Sequence, residues 1–198
     1  MKHAPWRVLH QLGAASAQIP HRRTCRRTHG HGAVGLALAC SFLAAVLGFG
    51  LHVNLSPSAP PGLYRSVTGT PTRGTWVAAC VSPKAAALAH ARGYLLSGSC
   101  PGGVEPVLKP VVAIAGDVVE LELDAVTVNG QRLPRSASAT LDSSGRPLPH
   151  AVWGRHVVGS DELWLVSTRV ANSWDSRYLG PVSLSQVRTV AQPVWTVD

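Results

Sequence analysis

Charge is scarce in this sequence. Only 14 % of its 198 residues are Asp, Glu, Lys or Arg, and residues 1–32 contain no acid at all. With 19 glycines and 15 prolines, that composition suits a strand-and-turn domain better than a helical bundle. No internal repeat is present, which excludes a solenoid or propeller. No G-x-S-x-G elbow is present, and His90, His150 and His156 stand in no Ser-His-Asp context, so neither familiar serine-histidine arrangement is legible. Cys80, Cys100 and His90 lack a zinc-ligand spacing, so no metal and no cofactor is expected. Lysine is rare too: beyond the leader only Lys84 and Lys109 occur.

The net charge of +8 is unevenly placed. Lys2, Arg7, Arg22, Arg23, Arg26 and Arg27 make residues 1–32 strongly basic, and the rest of the chain is close to balanced. Aromatic residues do not interleave with Arg22, Arg23, Arg26 and Arg27, which argues against nucleic acid as a partner. From Ala33 to Leu51 (AVGLALACSFLAAVLGFGL) 19 residues carry no charge, enough helix to cross a roughly 30 Å hydrocarbon core. The basic side is expected to stay in the cytoplasm. A cleaved signal peptide is the competing reading, but the apolar run is long for one and no clean A-x-A site follows. The expected organisation is a basic cytoplasmic tail over 1–32, a retained anchor over 33–53 in contact with inner-membrane lipid, and a periplasmic domain over 54–198. The anchor is expected to be a single-pass span of a bacterial inner membrane.

Two cysteines of that domain, Cys80 and Cys100, lie in an oxidising compartment on this reading and are expected to pair. Between them PKAAALAHARGY opens on Pro83, is rich in alanine and stops at Gly93, which predicts a short helix. TWVAAC (75–80) and ELWLVS (162–167) read as strands. PVLKPVVAIAGDVVELEL (106–123) reads as two strands broken at Gly116-Asp117, with Val119, Leu121 and Leu123 forming the apolar face of the second. VTVNGQRL (126–133) predicts a hairpin on Asn129-Gly130. Residues 134–150 read as an exposed Ser/Pro-rich loop, and 171–187 as an irregular segment before a last strand. The fold class expected is therefore mostly β: a compact antiparallel β domain with one small helix, behind a single transmembrane helix.

Chemistry is suggested at two places. Lys109 sits among Val107, Leu108, Val111, Val112, Ala113 and Ile114. Buried there, its ammonium would be costly and its pKa depressed, making a neutral amine available as a base. On an edge strand, the same lysine would simply guard against aggregation. The stretch N54-LSPSAPPGLYR follows the apolar run and carries Ser56 and Ser58 between prolines. It is either a stiff linker or a rigid turn presenting a nucleophile. A serine hydroxyl needs a base, and a neutral lysine serves as one in Ser-Lys dyads. The Ser58 backbone N–H and the Ser56 hydroxyl are then donors for an oxyanion.

Taken in order, N54-LSPSAPPGLYR, L108-KPVVAIAGDVV and N172-SWDSRYLGPV resemble the three boxes of the type I signal peptidase superfamily. The GLYR continuation is similar to its TraF branch, conjugative-transfer peptidases that mature pilin subunits. The resemblance covers about 54–197. It implies a signal-peptidase type of β domain, with Ser58 as nucleophile, Lys109 as general base and Ser56 beside the oxyanion. It further implies Gly116-Asp117 as the GD after the lysine, Ser173 as a hydrogen-bond partner of the lysine, and Asp175 with Arg177 as a charged pair bracing the site. Some members of that branch cyclise a pilin rather than hydrolyse it, and the resemblance implies a further part for Asp175 there. Ala59 stands where methionine is usual and Ala115 where proline is usual, and neither removes a catalytic atom. The implied partners are a pilin or other membrane-inserted precursor and components of a conjugation or type IV secretion channel. Two other functions are compatible with the sequence: a general signal peptidase, and a non-enzymatic periplasmic scaffold.

Overall fold

The computed structural model describes residues 50–197 and the isolated positions 34, 40 and 48. The expected tail and nearly all of the expected anchor fall outside those residues. Among the described residues no helix is long and apolar enough to cross a membrane. The last residues assigned to the anchor are in a strand: β1 spans Leu51–Asn54 and pairs with β2, Gly62–Val67.

The strands that follow are β3 (Trp76–Ala79), β4 (Val107–Ala113), β5 (Val118–Leu121), β6 (Val126–Val128), β7 (Gln131–Arg132), β8 (Gly154–Val157), β9 (Glu162–Leu165), β10 (Val182–Ser183) and β11 (Val187–Thr196). They form two antiparallel sheets, one ordered β1-β2-β11-β3-β4-β9-β10 and the other β7-β6-β5-β8. The long β11 returns from the far end of the chain to lie between β2 and β3, so the N-terminal hairpin is held by the C-terminus.

Alternation explains β4. Its residues are buried at Val107, Lys109, Val111 and Ala113 and half-buried between them, the two-residue period of a strand with one covered face. Val107 and Val111 pack with Val77, Ala79, Leu163 and Leu165 in the larger core. A second core beneath the smaller sheet gathers Val119, Leu121, Val126 and Trp164. Leu123, expected on the same apolar face, is 55 % exposed because β5 ends at Leu121.

Helix α1 (Pro83–Arg92) forms where its signals place it. Ser82 caps it by accepting from Ala85 N–H, Pro83 occupies the first turn, and Gly93 stops it in the left-handed conformation at φ 69°. Ala86 and Ala89 are its buried face, and the Cys80–Cys100 disulfide closes the excursion that contains it. The hairpin also forms as expected: Asn129 (φ 52°) and Gly130 (φ 78°) both occupy the left-handed region that a type I′ turn demands.

One helical turn, α2 (Ser176–Leu179), replaces the irregular segment expected around 171–187. Asp175 caps it and Gly180 ends it, but four residues are too few to show a period. The loop over 134–150 is not simply exposed. Ser136 and Ser138 are buried, and Asp142 binds Tyr94, Arg92 and Arg146, fastening the loop to the end of α1.

Candidate active site

The order of the larger sheet decides between the two readings of Lys109. β4 lies between β3 and β9, so it is an interior strand and not an edge. Lys109 occupies an inward position and is 6 % exposed. Burial pulls its amine down to about 8, with the Asp175 carboxylate acting upward and the Arg177 guanidinium downward on either side of that larger effect.

Ser58 meets it from the turn between β1 and β2. Ser58 is 5 % exposed, and Lys109 Nζ donates to its Oγ across 2.5 Å. Ser56 Oγ is 2.9 Å from the same oxygen. Ser56, Ser58 and Lys109 open together onto a cleft of about 260 Å³, with Leu95, Val107 and Leu148 on its walls. The sequence pairing of Ser58 with Lys109, 51 residues apart, is thus a direct contact.

The third box forms a support behind Ser58. Asp175 and Arg177 are both fully buried, and Arg177 donates through Nε and Nη2 to the two carboxylate oxygens at 2.9 Å each. Arg177 also donates to the carbonyls of Ala137 (2.7 Å) and Ser173 (3.1 Å). Asp175 Oδ2 accepts from Ser167 N–H at 3.0 Å, and Ser167 Oγ donates to the Ser58 carbonyl at 2.5 Å. The ion pair therefore reaches Ser58 through Ser167. Sequence reasoning missed that residue, and its only signal was a hydroxyl directly after the apolar run LWLV.

Two expected supports differ in detail. Ser173 lines the cleft, but its buried hydroxyl makes no hydrogen bond, so the expected bond to Lys109 is not formed. The neighbouring backbone is held instead by Arg177 Nη2 on the Ser173 carbonyl. Gly116 and Asp117 do not line the cleft. Gly116 (φ 85°) makes the turn from β4 into β5. Asp117 accepts from Arg73 Nε (2.7 Å), Asn129 Nδ2 (2.9 Å) and Ile114 N–H (2.9 Å). Arg73 above all, aided by those other donors, holds its carboxyl well below the usual carboxylate range. The pair is a joint between the two sheets. Among the described residues, no group of three or more His, Cys, Asp or Glu side chains is placed to hold a metal ion.

A buried serine in contact with a buried lysine of lowered pKa, on a cleft in a β domain, is the arrangement that serine-lysine acyl transfer requires. The chain belongs to the signal peptidase family, peptidase S26, whose profile matches residues 30–196. Its relatives carry plasmid-transfer and conjugal-transfer names. It is 38 % identical over 167 residues to the plasmid transfer protein TraF of Escherichia coli, covering 83 % of this chain and 91 % of that one. It is 40 % identical over 151 residues to a probable conjugal transfer protein TraF of Sinorhizobium fredii, covering 74 % and 78 % respectively. Among solved structures, a signal peptidase I from Enterococcus faecalis aligns with a TM-score of 0.36 and 19 % identity, over 63 % of this chain and 98 % of the other.

Proposed function

We propose that this protein is a membrane-anchored serine endopeptidase with a Ser58–Lys109 dyad, and that it processes a membrane-inserted precursor, a conjugative pilin. The observation that carries the reading is the 2.5 Å contact between Ser58 Oγ and the buried Lys109 amine. A surface lysine would be protonated at neutral pH and unable to accept a proton. With a pKa of about 8, a usable fraction is neutral.

In the reaction, Lys109 takes the Ser58 proton as Oγ adds to the scissile carbonyl. The Ser58 N–H and Ser56 hydroxyl stabilise the oxyanion. The ammonium of Lys109 then gives its proton to the departing amine as the C–N bond breaks, leaving an ester on Ser58. Water, deprotonated by the same lysine, releases the acyl product. If the product's own N-terminal amine attacks that ester instead, the product is cyclic. Ser58 lies only seven residues beyond the apolar run that ends at Leu51, so the nucleophile follows closely on the anchor in the chain. The substrate is assigned to conjugation because the relatives bear plasmid-transfer and conjugal-transfer names. It binds extended, with a small residue before the scissile bond.

The test is intact-mass analysis of the candidate pilin co-expressed with the wild type and with Ser58→Ala. Trimming by the wild type alone supports the reading, and a product one water lighter than the trimmed chain identifies cyclisation. Equal, untrimmed pilin in both strains argues against the pilin, and a generic signal-peptide reporter left uncut as well argues against peptidase activity altogether.

A further inference from the structure

The turn that carries Ser58 contains little to hold itself in place. Pro57, Pro60 and Pro61 have no N–H, and a single backbone bond, Ala59 N–H to Ser56 O at 3.3 Å, closes it. Side chains compensate, that of Asn54 with the most bonds. Asn54 Oδ1 accepts from Ser56 N–H at 3.2 Å, and Asn54 Nδ2 donates to the carbonyls of Ser56 (3.1 Å), Ala59 (3.3 Å) and Pro60 (3.2 Å). Tyr64 Oη adds a bond to the Pro60 carbonyl at 2.7 Å.

The clamp has a fixed base. Asn54 is the last residue of β1 and lies opposite Gly62, the first of β2, so the turn leaves and re-enters the sheet at that pair. Gly62 cannot be replaced there: a Cβ would come within 2.1 Å of the Trp195 carbonyl oxygen on β11. Asn54 borders a different cavity, of about 440 Å³, whereas Ser56, Pro57 and Ser58 line the catalytic cleft.

We propose that Asn54 is a positioning residue for the Ser58–Lys109 site, whose carboxamide draws the carbonyls of the nucleophile turn away from the cleft in which the oxyanion forms. The inference rests on the peptidase reading above. A developing negative charge beside Ser58 needs donors facing it, and a carbonyl oxygen turned the same way opposes it. The carbonyls of Ser56, Ala59 and Pro60 share the two N–H of the Asn54 carboxamide, and that of Ser58 accepts from Ser167 Oγ. The role concerns geometry at the reacting atom and not substrate affinity, so its loss falls on kcat. A misplacement on the order of 1 Å costs roughly 100-fold.

The experiment uses full-length protein in detergent and a mass-encoded library of extended peptides with alanine before the scissile bond. Wild type, Asn54→Ala and Asn54→Asp are compared on the best-cleaved peptide, with Ser58→Ala as the blank. Asn54→Asp keeps the acceptor for Ser56 N–H and the side-chain shape but replaces the donor to three carbonyls. Both Asn54 variants are expected to lose roughly 100-fold in kcat. Their KM is expected to stay within about threefold and their melting temperature within a few degrees of wild type. An active wild type with Asn54→Ala at wild-type kcat, or with a loss confined to KM, overturns the positioning role alone. A fall in melting temperature in both variants that accounts for the lost activity makes Asn54 a fold residue and also overturns it. A wild type no better than the Ser58→Ala blank overturns the peptidase reading and this inference with it.

Discussion

Replacing the proposed base should make the protein more stable. Lys109 is 6 % exposed, and its amine falls from 10.5 to about 8, chiefly through burial. At about 1.4 kcal/mol for each tenfold change, that drop corresponds to roughly 3 kcal/mol by which the folded state disfavours the ammonium. Lys109→Met keeps an unbranched side chain of similar length and removes the charge. It also removes the bond to Ser58 Oγ, worth about 1 kcal/mol, although Ser56 Oγ remains a partner for that hydroxyl. The net expectation is about 2 kcal/mol of stabilisation at pH 7, or about 4–8 °C in melting temperature for a domain of this size. The sign depends on pH in a defined way. Because the folded-state pKa lies below the unfolded one, the penalty is full below pH 8. It shrinks as pH rises from 8 to 10.5, where the folded protein releases its proton before the unfolded chain does, and it is absent above. Thermal melts of wild type and Lys109→Met at pH 7 and pH 10 measure both features. A variant that melts below wild type at pH 7, or a gap equal at the two pH values, would refute the claim that Lys109 is held in an unfavourable site for catalysis.

Other consequences follow from the same geometry. Peptidase activity should rise with pH about a midpoint near 8 and fall close to tenfold per unit well below it, read from kcat/KM between pH 5 and 9. Arg177→Met should destabilise the fold by about 3–5 kcal/mol in denaturant melts, because it strands a fully buried Asp175 carboxylate. Its activity at a temperature where it remains folded should also fall, since Ser167 loses its fixed acceptor. Joint replacement of Cys80 and Cys100 by alanine should cost about 3 kcal/mol, the loop between them spanning a sequence separation of 20. The loss should appear in chemical denaturation and disappear in a comparison made under full reduction.

Much of this fold is legible where the local signals are self-contained. The α1 helix carries its own cap and stop in Ser82, Pro83 and Gly93, and the β6–β7 hairpin its Asn-Gly turn. Strands β1 and β2 were not legible. LHVN continues the apolar run before it, and GLYRSV becomes a strand only because β11 arrives from 120 residues away to pair with it. Helix α2 depends on one Asp cap and one glycine stop, below the length at which periodicity speaks. At the site, Ser58 and Lys109 stood out because residue type clashed with surroundings: a lysine in an apolar strand and serines in a proline turn. Ser167 and Asn54 did not stand out, because neither is unusual in sequence and each acquires its role only through contacts across the fold.

The most direct test of the dyad is to trap its intermediate. Wild-type protein mixed with the cleaved peptide and quenched in acid should yield a digest fragment containing Ser58 heavier by the acyl half of the substrate. The same fragment should be unmodified in Lys109→Ala. Cleavage by the wild type with no adduct at Ser58, or with the adduct on another side chain, would contradict the assignment of Ser58 as the nucleophile.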